Sequence, residues 1–220
     1  MRLDTGGVPS CCDPKDYNST FSDRFARRVA KRYSKHGLSP AAVQIVEFVT
    51  SHGVKGASVL EIGGGVGDIQ LELLRRGAAK VTNLEISTQY EAEAARLLER
   101  SGMARRVDRR FLDIARLPDG VEPAGVVVLH RVVCCYADYQ SLLSAAARHA
   151  RRLFVYSHPP DNPTVRAMFW GENCLRRIRR NAFRAYVHPP DAMIAAAEAE
   201  GLRTTYRHHS WDWDVVGLKR

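Results

Sequence analysis

The chain has 220 residues, a formal net charge of +9 and 45% hydrophobic residues, enough for one α/β domain with an accessory segment. No apolar run approaches the roughly 18 residues of a membrane span, and the N-terminus carries no apolar signal core. Five cysteines, two pairs of them vicinal, do not make a disulfide framework, so a reducing cytoplasm is the expected compartment.

Residues 1–16 hold Gly6-Gly7, Pro9, Cys11-Cys12 and Pro14 without periodicity and read as a flexible tail. From there Tyr17, Phe21, Phe25, Val29 and Tyr33 recur every four residues, an aromatic stripe along one helix, with Asn18, Ser19 or Thr20 as its cap. Ser39-Pro40 opens a second helix with Ala42, Val43, Ile45, Val46 and Val49 on its apolar face. Residues 17–53 thus form a helical segment ahead of a core at 54–220.

The core opens on Ser58-Val59-Leu60-Glu61-Ile62-Gly63-Gly64-Gly65-Val66-Gly67-Asp68. A short apolar run feeds into glycines, and the chain then turns amphipathic at Ile69, Leu71, Leu73 and Leu74. Strand, glycine turn and helix open a nucleotide-binding βαβ unit. Gly63, Gly65 and Gly67 give G-x-G-x-G rather than the G-x-G-x-x-G of dinucleotide folds. The next strand, Lys80 to Glu85, ends in an acid 18 residues past Gly67, placed to accept from ribose hydroxyls. This pattern, with Glu61 ahead of the glycines, resembles motif I of the class I S-adenosylmethionine (SAM) dependent methyltransferases. The resemblance implies a Rossmann-like seven-stranded α/β fold, with SAM as cofactor and S-adenosylhomocysteine as product.

A helix over about Thr88–Ser101 and a strand over Val107–Leu112 come next. In the class I pattern an acid such as Asp113 reaches the adenine amino group, and Leu112 and Ile114 wall the ring. Strand four, Gly125 to His130, is a near-continuous apolar run buried on both faces. His130-Arg131-Val132-Val133-Cys134-Cys135-Tyr136 lies outside its carboxyl end, where open α/β sheets bind ligands. Arg131–Tyr136 with Asp138-Tyr139 is similar to the same region of small-molecule methyltransferases related to the magnesium-protoporphyrin O-methyltransferase. After helix Ser141–Ala150 and strand Leu153–Ser157, an insert at about 160–185 carries a helix over Thr164–Asn181. That helix has Val165, Met168, Phe169, Leu175 and Ile178 on its apolar side and Arg176, Arg177, Arg179, Arg180 and Arg184 near its end. In this superfamily such an insert covers the acceptor pocket, and an aromatic helix ahead of motif I is a lid. A final helix, Ala192–Glu200, and two strands, 203–209 and 212–218, complete the fold.

The resemblance implies that Glu61, Gly63, Gly64, Gly65, Gly67, Glu85, Ile86, Asp113 and Ile114 hold SAM, with Tyr33 and His130 beside them. His130, His36 and Tyr136 are the candidates to act on the acceptor, His130 foremost because histidine suits a base near neutral pH. Cys134-Cys135 does not match zinc spacing, and no metal is expected. The reading is SAM-dependent methylation of a small organic molecule, at oxygen, in secondary metabolism. Its rivals are an RNA methyltransferase using the basic surface and a non-catalytic SAM-binding protein. The arginine cluster reads as a solvated helix face, an anion clamp for the acceptor or phosphate contacts to RNA. Monomer and homodimer both stay open.

Overall fold

The computed structural model describes residues 14–220. Residues 1–13 of the segment read as a tail, Cys11-Cys12 among them, lie outside the described residues, and residues 14–16 are helical rather than tail. Helices α1 (Pro14–Thr20), α2 (Asp23–His36) and α3 (Pro40–Ser51) precede a sheet of seven strands. These are β1 (Ser58–Ile62), β2 (Lys80–Glu85), β3 (Val107–Phe111), β4 (Ala124–Leu129), β5 (Ala150–His158), β6 (Arg203–His208) and β7 (Asp214–Lys219). Helices α4 (Asp68–Arg75), α5 (Glu91–Ser101), α6 (Tyr139–Arg148), α7 (Pro163–Ile178) and α8 (Pro190–Glu198) connect them. The strand order is β3-β2-β1-β4-β5-β7-β6. β7 alone runs against its neighbours, pairing Ser157 with Val215 on one side and His208 with Val215 on the other.

Alternation along each strand builds two cores, because successive side chains point to opposite faces. Val127, Leu129, Phe154 and Tyr156 pack under α6 and α8. Val126, Val128 and Val155 pack under α3 and α4. On that second face Phe48 of α3 stacks on Tyr206, ring centroids 5.3 Å apart. It lies over Gly217 of β7, where a Cβ would come within 2.6 Å of the ring.

The single aromatic helix expected at the N-terminus is two helices. Phe21 and Ser22 break it, with Ser22 extended (ψ 164°) at the start of α2. The break lets α1 reach Ser87, Cys135 and Phe183 while α2 packs Ala26, Ala30 and Tyr33 against α5 and Tyr90. Asn18 anchors α1, its Oδ1 accepting from the Ser87 hydroxyl (2.9 Å) and the Thr88 amide (3.2 Å). Asn181, past α7, donates to Ser19 at 2.9 Å and ties the insert to α1. Helix α7 begins on Asn162, whose side chain accepts from the Val165 amide. None of its 16 residues is buried. Among the described residues, no helix is long and apolar enough to cross a membrane.

Candidate active site

Strand order reverses between β1 and β4, and three segments meet at their carboxyl ends. One is the glycine turn after β1. Gly65 sits at φ 52°, a left-handed conformation that glycine adopts without strain. Its amide donates to Glu85 Oε2 at 2.9 Å. At Gly64, a Cβ would collide with the Asn83 amide and the Glu61 carboxylate. The second segment follows β2. Glu85 Oε1 accepts from the amides of Ile86 (2.8 Å) and Ser87 (3.0 Å). Three amides thus fix one carboxylate: Oε1 accepts from two of them and Oε2 from one, so Oε2 retains a lone pair for an outside donor. Arg109 of β3 braces the turn from behind, donating to the Gly65 carbonyl (2.9 Å) and pairing with Glu91 (2.7 Å).

The third segment is His130-Arg131 past β4. His130 Nδ1 hydrogen-bonds Ser157 Oγ at 2.9 Å, and Nε2 lies 3.4 Å from Ser39 Oγ. Burial, with the Arg131 charge beside it, pushes the imidazole down to about 3. It is therefore neutral through the physiological range. Arg131 takes φ 61°, which is rare for a residue with a Cβ. Its guanidinium lies 4.7 Å from the Trp213 ring centre, a cation–π contact. The same cavity holds two acids, Glu61 buried and Asp68 half-buried. Burial, and then Asp68 nearby, raise Glu61 to about 8, although Asn83 donates to it at 3.1 Å. Burial raises Asp68 as well.

These groups form the polar floor of a cavity of about 500 Å³. Its roof is aromatic. Tyr17 and Phe21 each meet Phe183 edge-on at 5.4 Å. The Arg176 guanidinium lies 5.1 Å from the Phe183 ring centre and pairs with Glu172 at 2.9 Å. The Tyr17 hydroxyl donates to the Cys135 carbonyl at 2.5 Å, joining roof to floor.

The cavity wall gathers Tyr33, Glu61, Gly63, Gly64, Gly65, Glu85, Ile86, His130 and Tyr136. It leaves out His36, which is exposed at the end of α2, and Gly67, which caps α4. Ile114 is in the core. Asp113 accepts from the Tyr136 hydroxyl (2.9 Å to Oδ2) and pairs with Arg116 at 3.4 Å. Tyr33 likewise gives its hydroxyl to Glu72 (2.8 Å) and accepts from Arg75. Cys134 is buried with its sulfur 3.6 Å from that of Cys135. Among the described residues no group of three or more His, Cys, Asp or Glu is placed to hold a metal. Among the wall and bracing residues, Arg32, Asp68, Arg109, Arg131, Phe183 and Trp213 carried no role in the sequence reading. Asp68 alone had a local signal, an acid in the first turn after the glycines.

Residues 59–153 match the family model described as a methyltransferase domain. No curated protein sequence matches the chain. Among solved structures, it resembles magnesium protoporphyrin IX methyltransferase (ChlM) from Synechocystis PCC 6803 with bound SAH. The TM-score is 0.72 at 18% identity, over 94% of this chain and 100% of that one. An O-methyltransferase family protein from Burkholderia thailandensis gives 0.70 at 16% identity, over 93% and 62%. An O-methyltransferase family 2 protein from Planctomyces limnophilus, in complex with apigenin, gives 0.63 at 14% identity, over 90% and 61%. Residues 59–153 thus form a methyltransferase domain, and the chain as a whole has the class I methyltransferase fold, distantly resembling that of magnesium protoporphyrin IX methyltransferase.

Proposed function

We propose that the protein methylates a compact organic acceptor at oxygen, with SAM on the polar floor and the acceptor under the aromatic roof. The residues fit the cofactor. SAM carries a sulfonium and, at its amino-acid end, an ammonium and a carboxylate. The floor offers Glu61 and Asp68 to the cationic groups and Arg131 and Arg32 to the carboxylate. Glu85, fixed by three amides, would accept from a ribose hydroxyl through Oε2. Gly63, Gly64 and Ile86 let the cofactor lie close against backbone, while Gly67, Asp113 and Ile114 support the wall from behind. When bound, SAM supplies a methyl group on a good leaving group, ready for in-line displacement.

The chain's own part is to hold, align and dry the reactants. Tyr17, Phe21 and Phe183 close over the crevice and exclude water. His130, held neutral near pKa 3, is a poor proton acceptor at neutral pH, since an efficient base titrates near the working pH. Its Nε2, engaged only by Ser39 Oγ at 3.4 Å, would exchange that contact for a hydrogen bond that orients the acceptor. An acceptor oxygen that arrives ionised, a carboxylate or an acidic phenol, needs no base. Arg176 is the cation on the roof side, and Tyr136 holds the wall through Asp113.

The observation that carries this reading is a single cavity lined on one side by the aromatic roof and on the other by the Glu85 crevice. Its volume of about 500 Å³ lies within the range of roughly 300–1,000 Å³ for one drug-sized ligand. Cofactor and acceptor must share it, so the acceptor is small. The test is transfer of labelled methyl from SAM into a cell extract, separated afterwards into small-molecule and macromolecular fractions. Label in the small-molecule fraction, released by mild base as expected of a methyl ester or retained as an aryl ether, supports the proposal. Label in nuclease-sensitive material replaces it with RNA methylation.

A further inference from the structure

We propose that the outer face of α7 is a docking surface for an anionic lipid bilayer, so that the enzyme works attached to a membrane. Helix α7 presents Phe169, Glu172 and Arg176 to the cavity. The opposite side is apolar and open. Gly171, Cys174 and Ile178 follow one stripe, flanked by Met168 and Leu175 on one side and Trp170 on the other. Trp170 is 71% exposed and Ile178 79%. A single exposed apolar residue needs no explanation, but a continuous helical face of them does.

The charges around that face select its occupant. Arg177, Arg179 and Arg180 lie at the end of the helix and form no ion pair among the described residues. The single carboxylate of α7, Glu172, is paired with Arg176. A second copy docked in parallel on the same patch would set arginines against arginines, and one docked antiparallel would offer them a first helical turn without an acid. A bilayer bearing anionic headgroups meets both halves of the pattern. Apolar side chains and a tryptophan enter the acyl boundary while long arginines reach the headgroups. The 16-residue length suits a helix lying in the interface and not one spanning it. Because the inner face of α7 roofs the cavity, docking would set the acceptor chamber beside the lipid.

The experiment is co-sedimentation of the full chain with vesicles of phosphatidylcholine alone and of phosphatidylcholine with about one-third phosphatidylglycerol. The expected result is binding to the anionic vesicles, weakened by salt, with a blue shift of tryptophan emission that Trp170→Phe removes. Leu175→Glu with Ile178→Glu should lower the partition coefficient at least about tenfold. Reversing Arg177, Arg179 and Arg180 to glutamate should do the same. Neither set touches the cavity, so SAM affinity by calorimetry stays unchanged and certifies the fold. Four results would overturn the proposal. One is no binding to anionic vesicles at low salt. Another is binding that the apolar variant leaves intact, which marks simple charge adsorption. The third is a lipid-free dimer that Ile178→Glu converts to monomer, which makes a second copy the occupant. The fourth is preferential retention on RNA that abolishes vesicle binding.

Discussion

At the scale of single residues, two shifted groups make the site testable without knowing the acceptor. Glu61 titrates near 8, so the free protein holds it mostly protonated at pH 7. A cationic cofactor settling beside it favours the ionised form. SAM binding is therefore expected to release a fraction of a proton at pH 7. Calorimetry in buffers of different ionisation enthalpy reads that release, and Glu61→Gln should abolish it. Glu85 organises three amides, so its loss harms more than ligand contacts. Glu85→Gln is expected to weaken SAM binding by about tenfold to a hundredfold, the worth of hydrogen bonds to a charged group. An unchanged dissociation constant would remove Glu85 from the ribose role. His130 titrates near 3, so kcat should show no inflection near 6.5 that His130→Asn eliminates. An inflection that disappears in the variant would restore the base.

Among the elements, the roof hangs on few polar links. Asn18 joins α1 to Ser87 and Thr88, and Asn181 joins the insert to Ser19. Asn18→Ala removes an acceptor from a partly buried pair of donors, at a cost of about 1–2 kcal/mol. That cost falls on the docking of the lid and leaves the sheet untouched. Faster hydrogen exchange confined to the first two helices, with a raised KM for the acceptor, is the expected signature. This scale also separates what could be read in advance from what could not. The strand, glycines and helix from Ser58 to Leu74 were legible because each step is local. So was the acid at Glu85, because parallel strands end on a common edge. The break at Phe21-Ser22 was not legible, since a four-residue repeat runs straight through it and only the distant partners of α1, Ser87, Cys135 and Asn181, draw it away from the line of α2. Nor was the outer face of α7. An apolar stripe tells that a helix has two sides, not which of them is covered. The pairing of Tyr136 with Asp113 depends on β3 and β4 lying on opposite sides of the β1–β2 pair, which is topology and not spacing.

For the whole molecule, the same buried groups set the dependence of stability on pH. His130 drops from the usual 6.5 to about 3 on folding. The unfolded chain therefore binds more protons between those values, and stability is lost as pH falls below 6.5 toward 3. Glu61 rises from 4.5 to about 8. The unfolded chain there binds fewer protons, and stability is lost as pH rises from 4.5 toward 8. The two slopes oppose each other between 4.5 and 6.5, so these groups give a plateau there and a decline on either side. Urea unfolding across pH 4–8 should show that form, and Glu61→Gln should flatten the decline between 6.5 and 8. The fold also couples distant parts of the chain sterically. Phe48 comes from the helix that precedes the sheet and Gly217 from its last strand, yet the ring fills the space where a Cβ would stand. Gly217→Ala is expected to destabilise by about 1–3 kcal/mol, as overpacking does. Phe48→Leu in the same chain should recover part of the loss, a coupling that a double-mutant cycle measures. Position 217 cannot grow first: a larger residue there is admissible only in a lineage that has already accepted a smaller one at 48, so the order of substitutions at these two sites is constrained by geometry.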